Sequence, residues 1–129
     1  LDLSKMLWFD TLKIAGLEAM DASFSKEEIH AVEQFTFAVN YGRKLKVGEN
    51  TSIELFDAGH IAGSAITKVT SPRDKTVVYT GDIRLDDTRL QTGAVLPAGG
   101  CDALLIESTY GDREHPDRKE TEKKFVADV

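Results

Sequence analysis

Residues 56–82 read FDAGHIAGSAITKVTSPRDKTVVYTGD, and the fold of the chain turns on how this stretch runs. Residues 52–56 make an apolar run, and the small Ala58 and Gly59 then let the backbone turn sharply, so that His60 stands at the end of a strand. Residues 64–70 alternate as a second strand leading away. Ser71, Pro72, Arg73 and Asp74 supply turn chemistry, and residues 75–80, with adjacent Val77 and Val78, return the chain to Gly81 and Asp82. An out-and-back hairpin of two similar strands delivers His60 and Asp82 to one sheet edge. Taken singly, a Gly-His pair or a Gly-Asp after a strand is ordinary turn chemistry. An imidazole and a carboxylate on neighbouring loops are half of a metal site.

At 129 residues the chain has the size of one domain and can bury roughly two-thirds of its unfolded surface. Apolar residues make up 41% and charged ones 29%, a composition that packs a core rather than staying disordered. Acidic residues outnumber basic ones by 22 to 16, for a net charge of −6, so any nucleic-acid contact must be local rather than a global attraction to phosphate. The single cysteine, Cys101, excludes an internal disulfide and a cysteine-rich zinc knuckle and fits a reducing compartment. No run approaches membrane-spanning length, and Lys5, Asp10 and Lys13 interrupt the apolar N-terminal residues. The expected location is the cytoplasm, without membrane partners.

Outside the hairpin, residues 3–20 have helical spacing, with Leu3, Leu7, Ile14 and Leu17 along one stripe that Trp8, Phe9 and Leu12 widen. That much apolar surface predicts a buried helix. Ser25 and Glu28 form a capping box that starts a second helix over residues 26–35, and His30 within it reads as a surface residue. Residues 43–47 alternate as a half-exposed strand carrying Arg43, Lys44 and Lys46. Residues 84–102 are long for a plain loop, and a helical turn is expected around residues 87–91. Residues 103–106 read as a buried strand closing at Glu107, and residues 117–129 as an amphipathic helix.

Three motifs, AGHIAGSA with His60, VVYTGDI with Asp82 and LLIESTYGD with Glu107, occur in an order that resembles the metallo-β-lactamase superfamily in its β-CASP branch. That branch includes ribonuclease J and the catalytic subunit of the cleavage and polyadenylation specificity factor. LSKMLWFDTLKIA and VNYGRKLKVG are similar to the stretch preceding those motifs, so the resemblance covers nearly the whole chain. It implies an α/β (α+β) fold, part of an αβ/βα sandwich with a mixed β-sheet flanked by helices. Residues 1–106 then match the second part of the metallo-β-lactamase core, and residues 107–129 the opening of the β-CASP domain. The implied function is zinc-dependent cleavage of RNA phosphodiester bonds in RNA processing, 3′-end maturation or decay, with single-stranded RNA as the partner. By the same resemblance His60 and Asp82 are metal ligands, Asp82 bridging two zinc ions. Asp82 and Glu107 are catalytic, Glu107 by orienting a histidine that protonates the leaving group.

The family's His-x-His-x-Asp-His signature is absent, since the only histidines are His30, His60 and His115. The chain is therefore expected to be an internal slice of a larger enzyme, beginning after the main metal loop, with an incomplete zinc ligand set and no activity alone. Half of a sandwich should leave an exposed apolar patch, hence self-association or a homo-oligomer. Two other functions share His60 and Asp82: a small-molecule hydrolase of the same superfamily, and a binding module that kept the fold without the metal. Glu107-Ser108-Thr109-Tyr110-Gly111 argues against the small-molecule hydrolase, which needs no acidic residue and glycine turn there.

Overall fold

The computed structural model describes residues 2–129 and divides the chain into two compact units, Leu1–Val39 and Asn40–Val129. The first unit is a pair of helices, α1 (Asp2–Leu17) and α2 (Lys26–Gln34). At the start of α2 the Ser25 hydroxyl accepts from the Glu28 amide, and the Glu28 carboxylate accepts from the Ser25 amide at 2.7 Å, the reciprocal bonds that the sequence predicts. Helix α1 ends three residues earlier than its spacing predicts. Ala19 takes a left-handed φ of 52°, and the Met20 amide bonds back to the Ala15 carbonyl, a terminating bond of the Schellman type.

The helices meet through Phe9 and His30, whose rings lie 5.5 Å apart, and through the Lys5–Glu33 ion pair, which holds the Glu33 carboxyl below its ordinary range. Ile29 is buried, but α1 buries no residue, contrary to the expectation of a buried helix. Its apolar positions are too many and too widely spread for one nine-residue helix to cover. Leu3, Met6, Leu7 and Leu17 each keep half or more of their surface exposed.

The second unit is a five-stranded sheet built from β1 (Leu45–Val47), β2 (Thr51–Asp57), β3 (Ala65–Thr70), β4 (Thr76–Tyr79) and β5 (Ala103–Leu105), followed by α3 (Arg118–Asp128). The strands lie in chain order, the first three pairings antiparallel and β4–β5 parallel, so the α/β class with a mixed sheet is the observed one. The register sets Phe56 opposite Ile66 and Lys68 opposite Val78, placing Phe56, Ile66 and Val78 on one face. Ile66 and Val78 are buried there with Ala58, and Phe56, Ile83 and Ala94 pack around them. The long segment after Asp82 returns to this region, with the Val95 amide on the Asp57 carbonyl at 2.9 Å and the Lys68 ammonium on the Ala98 carbonyl at 3.0 Å.

Three expectations within this unit are corrected. Residues 103–106 are not a buried strand: β5 is an edge strand paired only to β4, and Leu104, Leu105 and Ile106 are all more than half exposed. Residues 87–91 form no helical turn; the Thr88 hydroxyl instead accepts from the Leu90 and Gln91 amides and closes a tight bend. Helix α3 is not amphipathic in effect. Phe125 and Val126 are neighbours among charged residues, form no stripe, and stay exposed. Its start is capped by Asp117, whose carboxylate accepts from the Glu120 amide at 2.9 Å.

Candidate metal centre at one end of the sheet

Strand β2 ends at Asp57, whose carboxylate accepts from the Gly59 amide at 2.8 Å and starts the turn that carries His60. Gly59 has φ +68°, and a Cβ there would meet the Ala94 nitrogen and the Arg84 oxygen at 2.6 Å, so this position admits only glycine. Beyond it, the Ser64 hydroxyl accepts from the amides of His60 at 3.2 Å and Ile61 at 3.3 Å. The Ser64 carbonyl accepts from the Tyr41 hydroxyl at 2.8 Å and from the Ala58 amide at 3.1 Å. Burial, reinforced by the nearby Asp57 carboxylate, pushes the Tyr41 phenol up from its usual value and keeps it a hydrogen-bond donor.

Asp82 arrives from the other side of the hairpin. Strand β4 runs antiparallel to β3, and Gly81, with φ +56°, turns the chain outward at its end. The structure brings the two residues together: His60 Nε2 lies 3.9 Å from Asp82 Oδ2, with the side chains 39% and 68% exposed. Glu107 reaches the same end because β5 runs parallel to β4. Its Oε1 accepts from the Ile83 amide at 2.7 Å, next to Asp82. The Ile83 amide, then the Thr109 hydroxyl and, more weakly, the nearby His60 hold the Glu107 carboxyl below its ordinary range.

The other two histidines have aromatic neighbours within their own units. His30 packs on Phe9 in the first unit, and His115 stacks on Tyr110 with ring centroids 4.0 Å apart. Among the described residues, no three His, Cys, Asp or Glu side chains gather closely enough to hold a metal ion. An exposed imidazole nitrogen and carboxylate oxygen at this separation suit two donors of a zinc site, which wants about four. The pair fits the metal in kind and is incomplete in number.

Two residues that support His60 were not singled out from the sequence. Tyr41 precedes the strands, and Gln91 lies in the loop that follows Asp82. With its carboxamide turned to match its neighbours, Gln91 donates from its nitrogen to the His60 carbonyl at 3.1 Å and accepts at its oxygen from the Ala62 amide at 2.7 Å. Both contacts span long separations along the chain and leave no periodic trace. Ser64 alone had a legible signal, a hydroxyl four residues after the histidine in a glycine-bounded turn.

Over nearly its whole length the chain is similar to one part of nucleases of the metallo-β-lactamase superfamily, in its β-CASP branch. It is 41% identical to "Probable RNase MJ4" of Methanocaldococcus jannaschii over 129 residues, covering 98% of this chain and 30% of that protein. It is 34% identical to "RNase aCSPSF2" of Saccharolobus solfataricus over 93% of this chain and 24% of the relative. Against "Cleavage and polyadenylation specificity factor subunit 3" of Dictyostelium discoideum it is 32% identical over 96% of this chain and 16% of the relative. The chain thus spans less than a third of the length of each of these curated relatives. No protein-family model matches it.

Proposed function

We propose that this chain contributes one side of the active site of a zinc-dependent ribonuclease acting on single-stranded RNA. The observation that carries the reading is the meeting of His60 and Asp82, from the two arms of the β3–β4 hairpin at its open end, at 3.9 Å. His60 and Asp82 would hold zinc, with Asp82 shared between two ions and the remaining donors coming from outside this chain. Bound zinc supplies Lewis-acid polarisation of a phosphoryl oxygen. Asp82 offsets positive charge that would otherwise repel a second cation. Glu107 anchors the backbone next to Asp82 through the Ile83 amide and keeps a negative charge facing His60. The names of the relatives, two of them RNases, support RNA over other phosphodiesters.

The reading includes a cytoplasmic enzyme that self-associates. Val77, Tyr79 and Leu105 share the sheet face opposite the core and are exposed, which is the surface such association would use. No described helix is long and apolar enough to cross a membrane. The direct test is zinc content and RNA cleavage of the full-length protein before and after chelation. Undiminished cleavage in metal-free protein would end the reading.

A further inference from the structure

We infer that Gln91 is a positioning residue for His60, a clamp that fixes the imidazole-bearing loop before any metal binds. The inference rests on the reading of His60 as a metal ligand. Across residues 60–62, the amides of His60 and Ile61 go to the Ser64 hydroxyl, while the His60 carbonyl and the Ala62 amide go to the Gln91 carboxamide. Ser64 belongs to the same turn and moves with it. Gln91 lies outside the turn and ties it to a different part of the fold.

A clamp works only if its own base is rigid, and the base of Gln91 is held from several sides. The Gln91 amide donates to the Thr88 hydroxyl at 3.0 Å, and the Thr88 amide donates to the Gln91 carbonyl at 2.7 Å. Two residues on, the Gly93 amide donates to the Asp87 carboxylate at 2.8 Å, and a Cβ at Gly93 would lie 2.0 Å from the Leu85 oxygen. The Ala94 amide donates to the Arg84 carbonyl at 2.7 Å, and the Arg84 amide to the Ala58 carbonyl at 2.9 Å, at the root of the His60 turn. The segment carrying Gln91 therefore grips the turn at its base and, through the side chain, at its tip. An exposed imidazole on an untied turn would sample many positions. Holding the backbone on both sides of it removes that freedom before the ion arrives, as an outer partner does for a metal-bound histidine.

The test uses the full-length protein with zinc as the probe, comparing wild type, Gln91→Ala, Gln91→Glu and His60→Ala. Zinc affinity is measured by competition with a chelator, and Ala62 amide exchange is followed in metal-free protein. Gln91→Ala is expected to weaken zinc binding by roughly 10–100-fold and to speed Ala62 exchange, with the melting temperature nearly unchanged. Gln91→Glu keeps an acceptor for the Ala62 amide but has no donor for the His60 carbonyl, and should fall between the two. Wild-type zinc affinity in both Gln91 variants, with His60→Ala losing zinc, overturns the clamp and leaves the metal reading standing. So does a lowered melting temperature with zinc affinity unaltered, which is the mark of a purely structural residue. Retention of full zinc by His60→Ala overturns the metal reading, and the clamp's purpose with it.

Discussion

The β4–β5 pair is closed by a carboxylate at each end, and the two ends differ in what surrounds it. At the start of the pair, Asp102 accepts from the Thr76 amide at 2.8 Å and from the Lys75 ammonium at 2.6 Å. At the finish, Glu107 accepts from the Ile83 amide at 2.7 Å, and Asp82 stands beside it. The same device joins strand to strand in both places. Among the described residues, however, no lysine or arginine pairs with Asp82 or Glu107, and the basic group within reach of Asp82 is His60. One end neutralises its carboxylate and the other leaves negative charge facing a single imidazole. Such an end gains by Coulomb attraction from a bound cation, whereas the other already has its cation covalently built in.

The sharpest way to break this contrast is to remove one charge from each end. Asp82→Asn preserves shape but not charge, and its expected effect in the full-length protein is a loss of about 3–5 kcal/mol of transition-state stabilisation, or roughly 10²–10⁴-fold in RNA cleavage. RNA binding, measured separately, should persist, because phosphate contacts made elsewhere are untouched. Asp74→Asn, in the turn at the opposite end of the β3–β4 hairpin, should cleave as wild type. Asn also tolerates the positive φ of 55° found there. Equal activity in the two variants would place the chemistry somewhere other than the His60–Asp82 end.

A stability comparison sharpens the same contrast. Gly59 and Gly48 have nearly the same left-handed φ, +68° and +67°, but Gly59 faces backbone atoms at 2.6 Å while Gly48 faces open space. Gly48→Ala should therefore cost about 1 kcal/mol, the conformational penalty alone. Gly59→Ala adds a steric conflict with the Ala94 and Arg84 backbone and should cost about 3 kcal/mol. Urea unfolding of the two variants measures the difference. Similar midpoints would mean that the His60 turn is not seated against the 84–94 segment.

The contrast between the ends also explains which parts of the molecule were legible in the sequence. Runs of strand-forming residues bounded by turn residues located β2, β3 and β4 to within a residue or two. The hairpin geometry then followed, and with it the approach of His60 to Asp82. Burial was misread where a strand or helix lacks a covering neighbour: the apolar Leu104 and Leu105 look like core residues in sequence and are exposed at an edge. The supports of the His60 turn were unreadable for a different reason. Tyr41 and Gln91 act over separations of 23 residues (Tyr41 to Ser64) and of a full excursion of the chain, through single polar contacts that impose no periodicity.

The smallest expected effect is a difference in salt sensitivity between the two carboxylates. Both have folded-state pKa values below their ordinary ones, so each tether is fully present above the ordinary carboxylate value near 4 and is lost as pH falls through the folded value. The dominant causes differ. For Asp102 the Lys75 ammonium comes first, whereas for Glu107 the neutral Ile83 amide comes first. Salt screens a charge partner more than a neutral donor, so added salt should raise the Asp102 titration towards the ordinary value and move that of Glu107 less. The Thr76 and Ile83 amide resonances report the two titrations separately, since each amide bonds to one of the carboxylates. Glu107→Gln should erase the acid inflection at Ile83 and spare the one at Thr76, and Asp102→Asn should do the reverse. If the Ile83 inflection survives Glu107→Gln, that amide has another partner and Asp82 loses the anchor assigned to it. If instead Glu107 proves as salt-sensitive as Asp102, a cationic group faces it in solution, and the two ends of the strand pair are electrostatically alike after all.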